Sequence, residues 1–318
     1  MAHPTTPASS EPLAYLNGEF VPHRDAKLPV WDLGIVQAVT VTEAIRTFRH
    51  APFRLEQHLA RLKGSLSGIG LAPSETLEQL RHLVARLIEH NSGLIDAAED
   101  LAAVIFVTAG ESLIHSGGLA AHPGRPSICI YTYPLGLRTA ARLYTRGLSL
   151  VVPSVRHIPR SIIDPQIKYR SRLHWYLADR EAQQVEPAAE ALLLDLNGFV
   201  TETAKGNLFA LIGGMVQTPY EDTTLGGISQ QVVEEFLLQM GYDVEPANIT
   251  PDELARADEV WVSSTTTCLT PVTRLNDAPI ASGQPGPIWR QVIDRWSASV
   301  GMDIVAQAEL AAGKGVVC

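Results

Sequence analysis

Cysteine is nearly missing from this chain, which holds three, at positions 129, 268 and 318. So few, so far apart, make neither a disulfide framework nor the paired spacing of a metal site. No metal is expected, and a reducing cytoplasm is the simplest compartment. Positive charge is also short. The 25 Lys and Arg residues face 34 Asp and Glu, a net charge of −9, the reverse of the basic face that nucleic acid requires. No apolar run approaches the roughly 20 residues that span a bilayer, so no membrane partner is expected. Lysine itself is scarce, at positions 27, 63, 168, 205 and 314 only.

What is present is a globular chain. Its 318 residues are 46% hydrophobic and 19% charged, enough to bury one large core or two ordinary ones. Residues 1–12 are Pro/Ser/Thr-rich at their start and read as a flexible leader. Ala14 to Val21 reads as a hairpin turning at Asn17-Gly18. Val39 to Phe48 reads as a strand. Leu59, Leu62 and Leu66 mark one amphipathic helix, and Leu77, Leu80, Val84 and Leu87 a second, with Ser74 as its expected N-cap. Leu101–Thr108 and Ser127–Tyr133 read as buried strands. After Pro134 come many short strands, with helices following Arg170, Ser229 and Pro287. The expected fold is α/β (α+β), with a small N-terminal α/β domain at 1–133, a linker at 134–139, and a larger mixed sheet or barrel at 140–318.

The lysines can be compared one by one. Lys27 lies in a polar turn, Lys63 on the outer side of a helix, Lys205 beside Gly206 in a tight connection, and Lys314 in a Gly-rich tail. Lys168, in Ile167-Lys168-Tyr169-Arg170, precedes an aromatic helix, Leu173-His174-Trp175-Tyr176-Leu177. A reactive lysine needs partial desolvation to supply its neutral amine; taken alone, Lys168 reads first as a surface lysine opening a helix, because most lysines are exposed. Glu202 follows 34 residues later, on the second strand of a hairpin that turns at Asn197-Gly198. A lysine and a carboxylate on neighbouring elements are what an enzyme needs to hold pyridoxal 5′-phosphate: the amine forms a Schiff base with the aldehyde, and the carboxylate keeps the pyridine nitrogen protonated.

Three further segments could serve a phosphate or a substrate carboxylate. Arg61, in His58-Leu59-Ala60-Arg61-Leu62, offers a planar fork, although most such arginines are surface residues. Leu225-Gly226-Gly227-Ile228-Ser229 leads into a helix with Ser229 as its expected cap, and a helix N-terminus is a ready anion cradle. Ser263-Ser264-Thr265-Thr266-Thr267 ends a strand in five hydroxyl residues, which is either an anion-binding edge or a polar turn.

Taken in order, these segments resemble the class IV aminotransferases, the fold-type-IV pyridoxal-phosphate family, which includes branched-chain aminotransferases, D-amino-acid transaminases, (R)-selective amine transaminases and aminodeoxychorismate lyase. The matching pieces are Phe53 to Leu62, Lys168, Val200-Thr201-Glu202 with Asn207-Leu208-Phe209, Leu225 to Ser229, and the segment at Thr265. The resemblance implies that Lys168 is the catalytic Schiff-base lysine and that Glu202 contacts the pyridine nitrogen. It implies that Arg61, Ile228, Ser229 and Thr265 hold the phosphate and that Leu225 covers one ring face. Thr266 and Thr267 would meet the substrate carboxylate, and Gln37 and Thr42 fall on the substrate pocket. It further implies two α/β domains and a homodimer.

The departures fall on the substrate side. Thr42 stands where relatives often carry an aromatic. Gly110 is followed by Glu111-Ser112-Leu113-Ile114-His115, without the Arg-x-His carboxylate clamp of well-known D-amino-acid transaminases. Ala204-Lys205-Gly206 replaces the usual small-polar run. The expected activity is transfer of an amino group from an amino acid or amine to a 2-oxo acid, branched-chain-like or D-amino-acid-like. A lyase acting on an aminodeoxychorismate-type substrate and a non-catalytic pyridoxal-phosphate binder are the alternatives.

Overall fold

In the computed structural model, which describes residues 10–313, Asn17 and Gly18 both take left-handed backbone, at φ 47° and 106°. A two-residue hairpin turn requires that pair of positive φ values, so β1 (Leu13–Leu16) returns directly as β2 (Glu19–Pro22). The chain continues through α1 (Leu33–Val36), β3 (Thr40–Phe48), β4 (Ala51–Pro52), α2 (Leu55–Gly68), α3 (Leu77–Ser92), β5 (Leu101–Thr108) and β6 (Ser127–Pro134). The strands form a six-stranded antiparallel sheet in the order β2-β1-β6-β5-β3-β4. Helical spacing lines up Leu59, Leu62 and Leu66 on α2, and Leu80, Val84 and Leu87 on α3, against Val41, Ile45, Ile105 and Ile130 of the sheet.

The start of α3 differs from expectation. Its N-cap is Thr76: the Thr76 hydroxyl accepts from Gln79 N–H at 3.2 Å while Gln79 Oε1 accepts from Thr76 N–H at 2.8 Å. That reciprocal box satisfies two polar groups at once, whereas the Ser74 hydroxyl is engaged with Glu75. Much of the expected leader, together with Lys314 and Cys318, lies outside the described residues.

The chain forms two compact units, one holding residues up to Leu135 together with Ile167–Ser171, the other holding Gly136–Gln166 and the residues from Arg172 onward. The second unit contains α4 (Leu137–Arg146), β7 (Leu148–Val151), α5 (Leu173–Val185), β8 (Glu190–Leu194), β9 (Val200–Thr203), β10 (Asn207–Ile212), β11 (Met215–Thr218), α6 (Ile228–Gln239), β12 (Val244–Pro246), α7 (Pro251–Ala255), β13 (Glu259–Ser264), β14 (Cys268–Leu275), β15 (Ala278–Pro279), α8 (Pro287–Val300) and α9 (Ile304–Gly313). Strands β10-β13-β14-β7-β8-β9 run in sequence, and β9 pairs back onto β10 through Glu202 and Asn207. The ring is thereby closed and leaves no free edge among its members. Trp175, Ala178 and Ala182 of α5 pack on Ala191 and Leu193. No helix among the described residues is long and apolar enough to cross a membrane.

A buried carboxylate holds α8 to the ring. Glu259 accepts from the amides of Ile288 (2.8 Å) and Trp289 (3.0 Å) and from Trp261 Nε1 (3.0 Å). It thus caps a helix whose first residue, Pro287, has no N–H to offer. Gly286 lets the carboxylate in, since a Cβ there would lie 2.0 Å from Glu259 Cδ. Glu259→Ala is expected to destabilise the second unit by roughly 2–4 kcal/mol, the combined scale of a lost cap and orphaned buried donors. Urea denaturation followed by tryptophan fluorescence checks this, and an unchanged midpoint would contradict it.

Candidate functional site

Lys168 lies on a segment without helix or strand of its own, and the first unit supplies its hold. Lys168 N–H donates to Ser65 Oγ at 3.0 Å, and its carbonyl accepts from Thr42 N–H at 2.9 Å. Arg170 N–H donates to the Thr40 carbonyl at 3.2 Å, and Tyr169 bridges Val41 in antiparallel register. The segment is therefore laid beside β3 and joined to it by a single bridge and two flanking main-chain bonds. Ile167 fills the space over Gly68, where a Cβ would sit 2.9 Å from its Cγ1. Among the described lysines, 27, 63 and 205 are exposed and Lys168 is not. Lys205 is ion-paired with Glu190.

Ser65 lies one helical turn beyond Arg61 on α2, so one helix face carries both the guanidinium and the anchor for Lys168. Arg61 is not a surface arginine. Its side chain is 11% exposed and grips Glu43 of β3 with two bonds, Nε to Oε2 at 2.9 Å and Nη2 to Oε1 at 2.6 Å. His58 Nδ1 stands 3.0 Å from Glu43 Oε1, and both side chains are buried. Burial works to raise the pKa of Glu43, but the charges and hydrogen bonds of Arg61 and His58 hold it well below the usual carboxylate range. Burial pushes His58 down; Glu43 opposes this, while the positive charges of Arg61 and Lys168 add to it.

The side chains of Thr42 and Gln37 stand apart from this group. The Thr42 hydroxyl donates to the Ile105 carbonyl at 3.0 Å, so what Thr42 gives Lys168 is its backbone amide. Gln37 is exposed at the end of α1.

In the second unit the ring closure organises the other residues. Glu202 Oε2 accepts from Leu225 N–H at 3.2 Å, and Asn207 Nδ2 donates to the Leu225 carbonyl at 2.7 Å. The strand pair that closes the ring therefore holds Leu225 by both main-chain groups. The expected cap is corrected here: α6 begins at Ile228 with Gly227 as N-cap, and Ser229 is its second residue. A Cβ at Gly227 would lie 2.1 Å from Asn207 Oδ1, so only glycine fits where the segment crosses Asn207. Ile228 and Ser229 lead the helix, where amides have no intrahelical acceptor. Asn207 also pairs with Ser263, one strand from the turn that carries Thr265, Thr266 and Thr267. Within that turn Thr267 Oγ1 is 2.8 Å from Ser264 Oγ and 2.9 Å from Thr270 Oγ1, and its carbonyl accepts from Tyr144 Oη at 2.8 Å. The Thr267 hydroxyl is thus part of an internal chain of hydroxyls.

Three participants carry no signal that pattern reading detects. Glu43 looks like any strand carboxylate, Ser65 like any helix serine, and His157, 3.3 Å from Glu202 Oε1, sits in an irregular loop. Only pairing across long sequence separations brings them in.

Both pKa shifts at Glu43 and His58 are downward, so the stability each contributes is present above its ordinary value, 4.5 for Glu43 and 6.5 for His58, and is lost as pH falls through the folded value. First-unit stability should be flat from pH 6.5 up to the ordinary value of the buried Cys129 thiol, 9.0, and decline below 6.5. Glu43→Gln should cost about 3–5 kcal/mol at neutral pH, the scale of a broken buried pair. Its deficit relative to wild type should shrink below pH 4.5. Denaturation at a series of pH values tests both; a deficit independent of pH would contradict them.

The family model for amino-transferase class IV matches residues 40–275, well over half of the chain. A putative branched-chain-amino-acid aminotransferase of Methanocaldococcus jannaschii is 29% identical over 286 residues, covering 89% of this chain and 94% of that one. A D-alanine aminotransferase of Staphylococcus aureus is 30% identical over 280 residues, covering 87% and 94%. The chain spans half the length of another relative, the branched-chain-amino-acid aminotransferase-like protein 2 of Arabidopsis thaliana, at 27% identity over 90% of this chain. Among solved structures, a branched-chain amino acid aminotransferase complexed with N-(5′-phosphopyridoxyl)-L-glutamate superposes with a TM-score of 0.80 at 26% identity, covering 92% of this chain and 95% of that one. The branched-chain amino acid aminotransferase of Thermoproteus uzoniensis, solved with norvaline, superposes with a TM-score of 0.78 at 25% identity, covering 91% and 94%. The chain belongs to the class IV aminotransferase family.

Proposed function

We propose that this chain is a pyridoxal-5′-phosphate-dependent transaminase that moves the amino group of an L-configured apolar amino acid to a 2-oxo acid. The observation that carries the reading is the double anchoring of Lys168 by Ser65 Oγ and Thr42 N–H. A lysine stem is flexible, and tying its backbone on both sides gives the amine a fixed origin. The donor set suits the polar ends of the cofactor. Lys168 offers an amine to the aldehyde, and Glu202 a carboxylate to the pyridine nitrogen. Arg61, the leading amides at Ile228 and Ser229, and Thr265 offer donors to the phosphate.

When bound, the cofactor supplies the electron sink that lets the Cα–H bond of the substrate break. Lys168 Nζ, once neutral, accepts that proton and delivers it onward. Glu202 keeps the pyridine nitrogen protonated. Leu225 would cover a ring face, Thr266 and Thr267 would lie toward the substrate carboxylate and Gln37 toward the substrate side, while Thr42, its hydroxyl committed to Ile105, would act by holding Lys168.

Two features favour the L-amino-acid reading. The similar structure solved with a phosphopyridoxyl compound carries an L-glutamate adduct. Here the loop after Gly110 lacks the Arg-x-His pair of a carboxylate clamp, and its Glu111 is engaged by Trp31 Nε1 at 2.7 Å and by the amides of Ala121 and His122. A second copy of this chain is the proposed partner. Leu173, Tyr176 and Leu177 of α5 are 69%, 60% and 45% exposed, an apolar stripe at helical spacing.

Lys168→Ala should abolish both turnover and the borohydride-trapped cofactor adduct detected by mass spectrometry; retained turnover would remove the assignment. With the wild-type holoenzyme, L-leucine should convert the cofactor's absorbance band and D-alanine should not. The opposite result would move the chain to the D-amino-acid side, and pyruvate release without an oxo-acid acceptor would favour the lyase. Light scattering should give a dimer mass, and Leu173→Glu with Tyr176→Glu should shift it to that of a monomer.

A further inference from the structure

Glu202 has a neighbour that the family resemblance does not supply. His157 Nε2 stands 3.3 Å from Glu202 Oε1, with the two side chains 6% and 13% exposed. Its backbone is tied to the ring by a bond from its N–H to the Leu194 carbonyl at 2.9 Å. Its ring lies edge-on to His174 and Trp175 of α5, at centroid distances of 6.4 Å and 6.0 Å. Backbone tie and aromatic walls together restrict the ring, so Nε2 faces the carboxylate from a fixed position. A carboxylate accepts only, so Nε2 must carry a proton for the bond to form.

We infer that His157 is the positioning residue of Glu202: it donates to Oε1 while the Leu225 amide donates to Oε2, and the two together fix the plane of the carboxylate that addresses the pyridine nitrogen. The inference rests on the reading of Glu202 given above. Two weak donors on opposite oxygens hold the carboxylate without exhausting it, because an ionised carboxylate offers about four acceptor sites. The bond is shielded from water, which strengthens it. An imidazole is an ionisable donor, a property that neither leucine nor glutamine reproduces. The groups facing His157 are Glu202 from β9, and His174 and Trp175 from α5, with Arg172 just ahead of that helix acting on His174. Burial first, then the charges of His157 and Arg172, push His174 to about 4. His174 is therefore neutral near pH 7.

The test compares His157→Leu, which removes the donor, with His157→Gln, which keeps an N–H near the same place without an ionisable ring. His157→Leu should lower kcat on the order of tenfold, the scale on which hydrogen-bond partners of ligating residues act. KM for the donor should change little, the pH profile of kcat should change shape, and the bound cofactor's absorbance, which reports its ring protonation, should shift. His157→Gln should recover most of kcat but not the wild-type pH profile. If the leucine variant does not fold, the altered pH profile of the glutamine variant carries the test by itself. Wild-type kcat, pH profile and cofactor band in both variants would overturn the inference. So would an equal loss in both with an unchanged profile and band, which would mark His157 as packing only. Glu202→Gln, measured alongside, separates the two levels. A crippled Glu202→Gln beside a normal His157→Leu refutes the role of His157 alone, whereas a silent Glu202→Gln refutes the reading of Glu202 and this inference with it.

Discussion

Lys168 has no secondary structure to hold it, and two hydrogen bonds from elsewhere in the chain take that place. Its amide reaches a fully buried serine on α2, and its carbonyl is held by the backbone of β3. Everything beneath those two points has to be rigid for the anchoring to mean anything. The leucine face of α2 and the central strands of the first sheet form one apolar cluster, close-packed and slow to deform. Without these anchors Lys168 would sit on a stretch free of helix or strand between β7 and α5, and ordering it would be opposed by backbone entropy.

The buried carboxylates sort by how fully they are satisfied. Glu259 takes three N–H donors and ends α8 cleanly. Glu43 takes a bidentate arginine and an imidazole. Each is nearly saturated, and burying an anion is tolerable only on those terms. Glu202 is different: it is more exposed than Glu43 and has one amide and one imidazole, both at the long end of hydrogen-bond range. It retains acceptor capacity. Beside Glu43 and Glu259, Glu202 is the one of the three with acceptor sites left over.

Glycine is required at two crossings rather than for flexibility. Gly227 and Gly286 have ordinary negative φ values, yet a side chain at either would collide with a polar side chain that the fold has placed there, Asn207 or Glu259. Both glycines also precede helices, α6 and α8, so the close approach and the helix start are solved together.

Local patterns carried a good deal. The leucine spacing of α2 and α3 follows from a 3.6-residue repeat that any packed helix must show, and the Asn17-Gly18 turn from the positive φ values its residues tolerate. The shortage of lysine left few candidates for an amine, Lys168 among them, and the Leu225–Ser229 run marked a helix start. Where capping was concerned the sequence was ambiguous, since Ser74 and Thr76 are both good caps and only the reciprocal bond to Gln79 decides between them. Ser229 lost its place to Gly227 because Asn207 leaves no room for a side chain. The partners of the candidate site were beyond any local reading. Glu43 meets Arg61 across 18 residues, His157 meets Glu202 across 45, and Ser65 meets Lys168 across 103. The sequence by itself determined which residue types are available and which segments are helix or strand, because those depend on neighbours along the chain. Only the tertiary structure decided which amine is anchored, which carboxylates are saturated and which keeps capacity in reserve, because hydrogen bonds between distant segments are set by how the core packs.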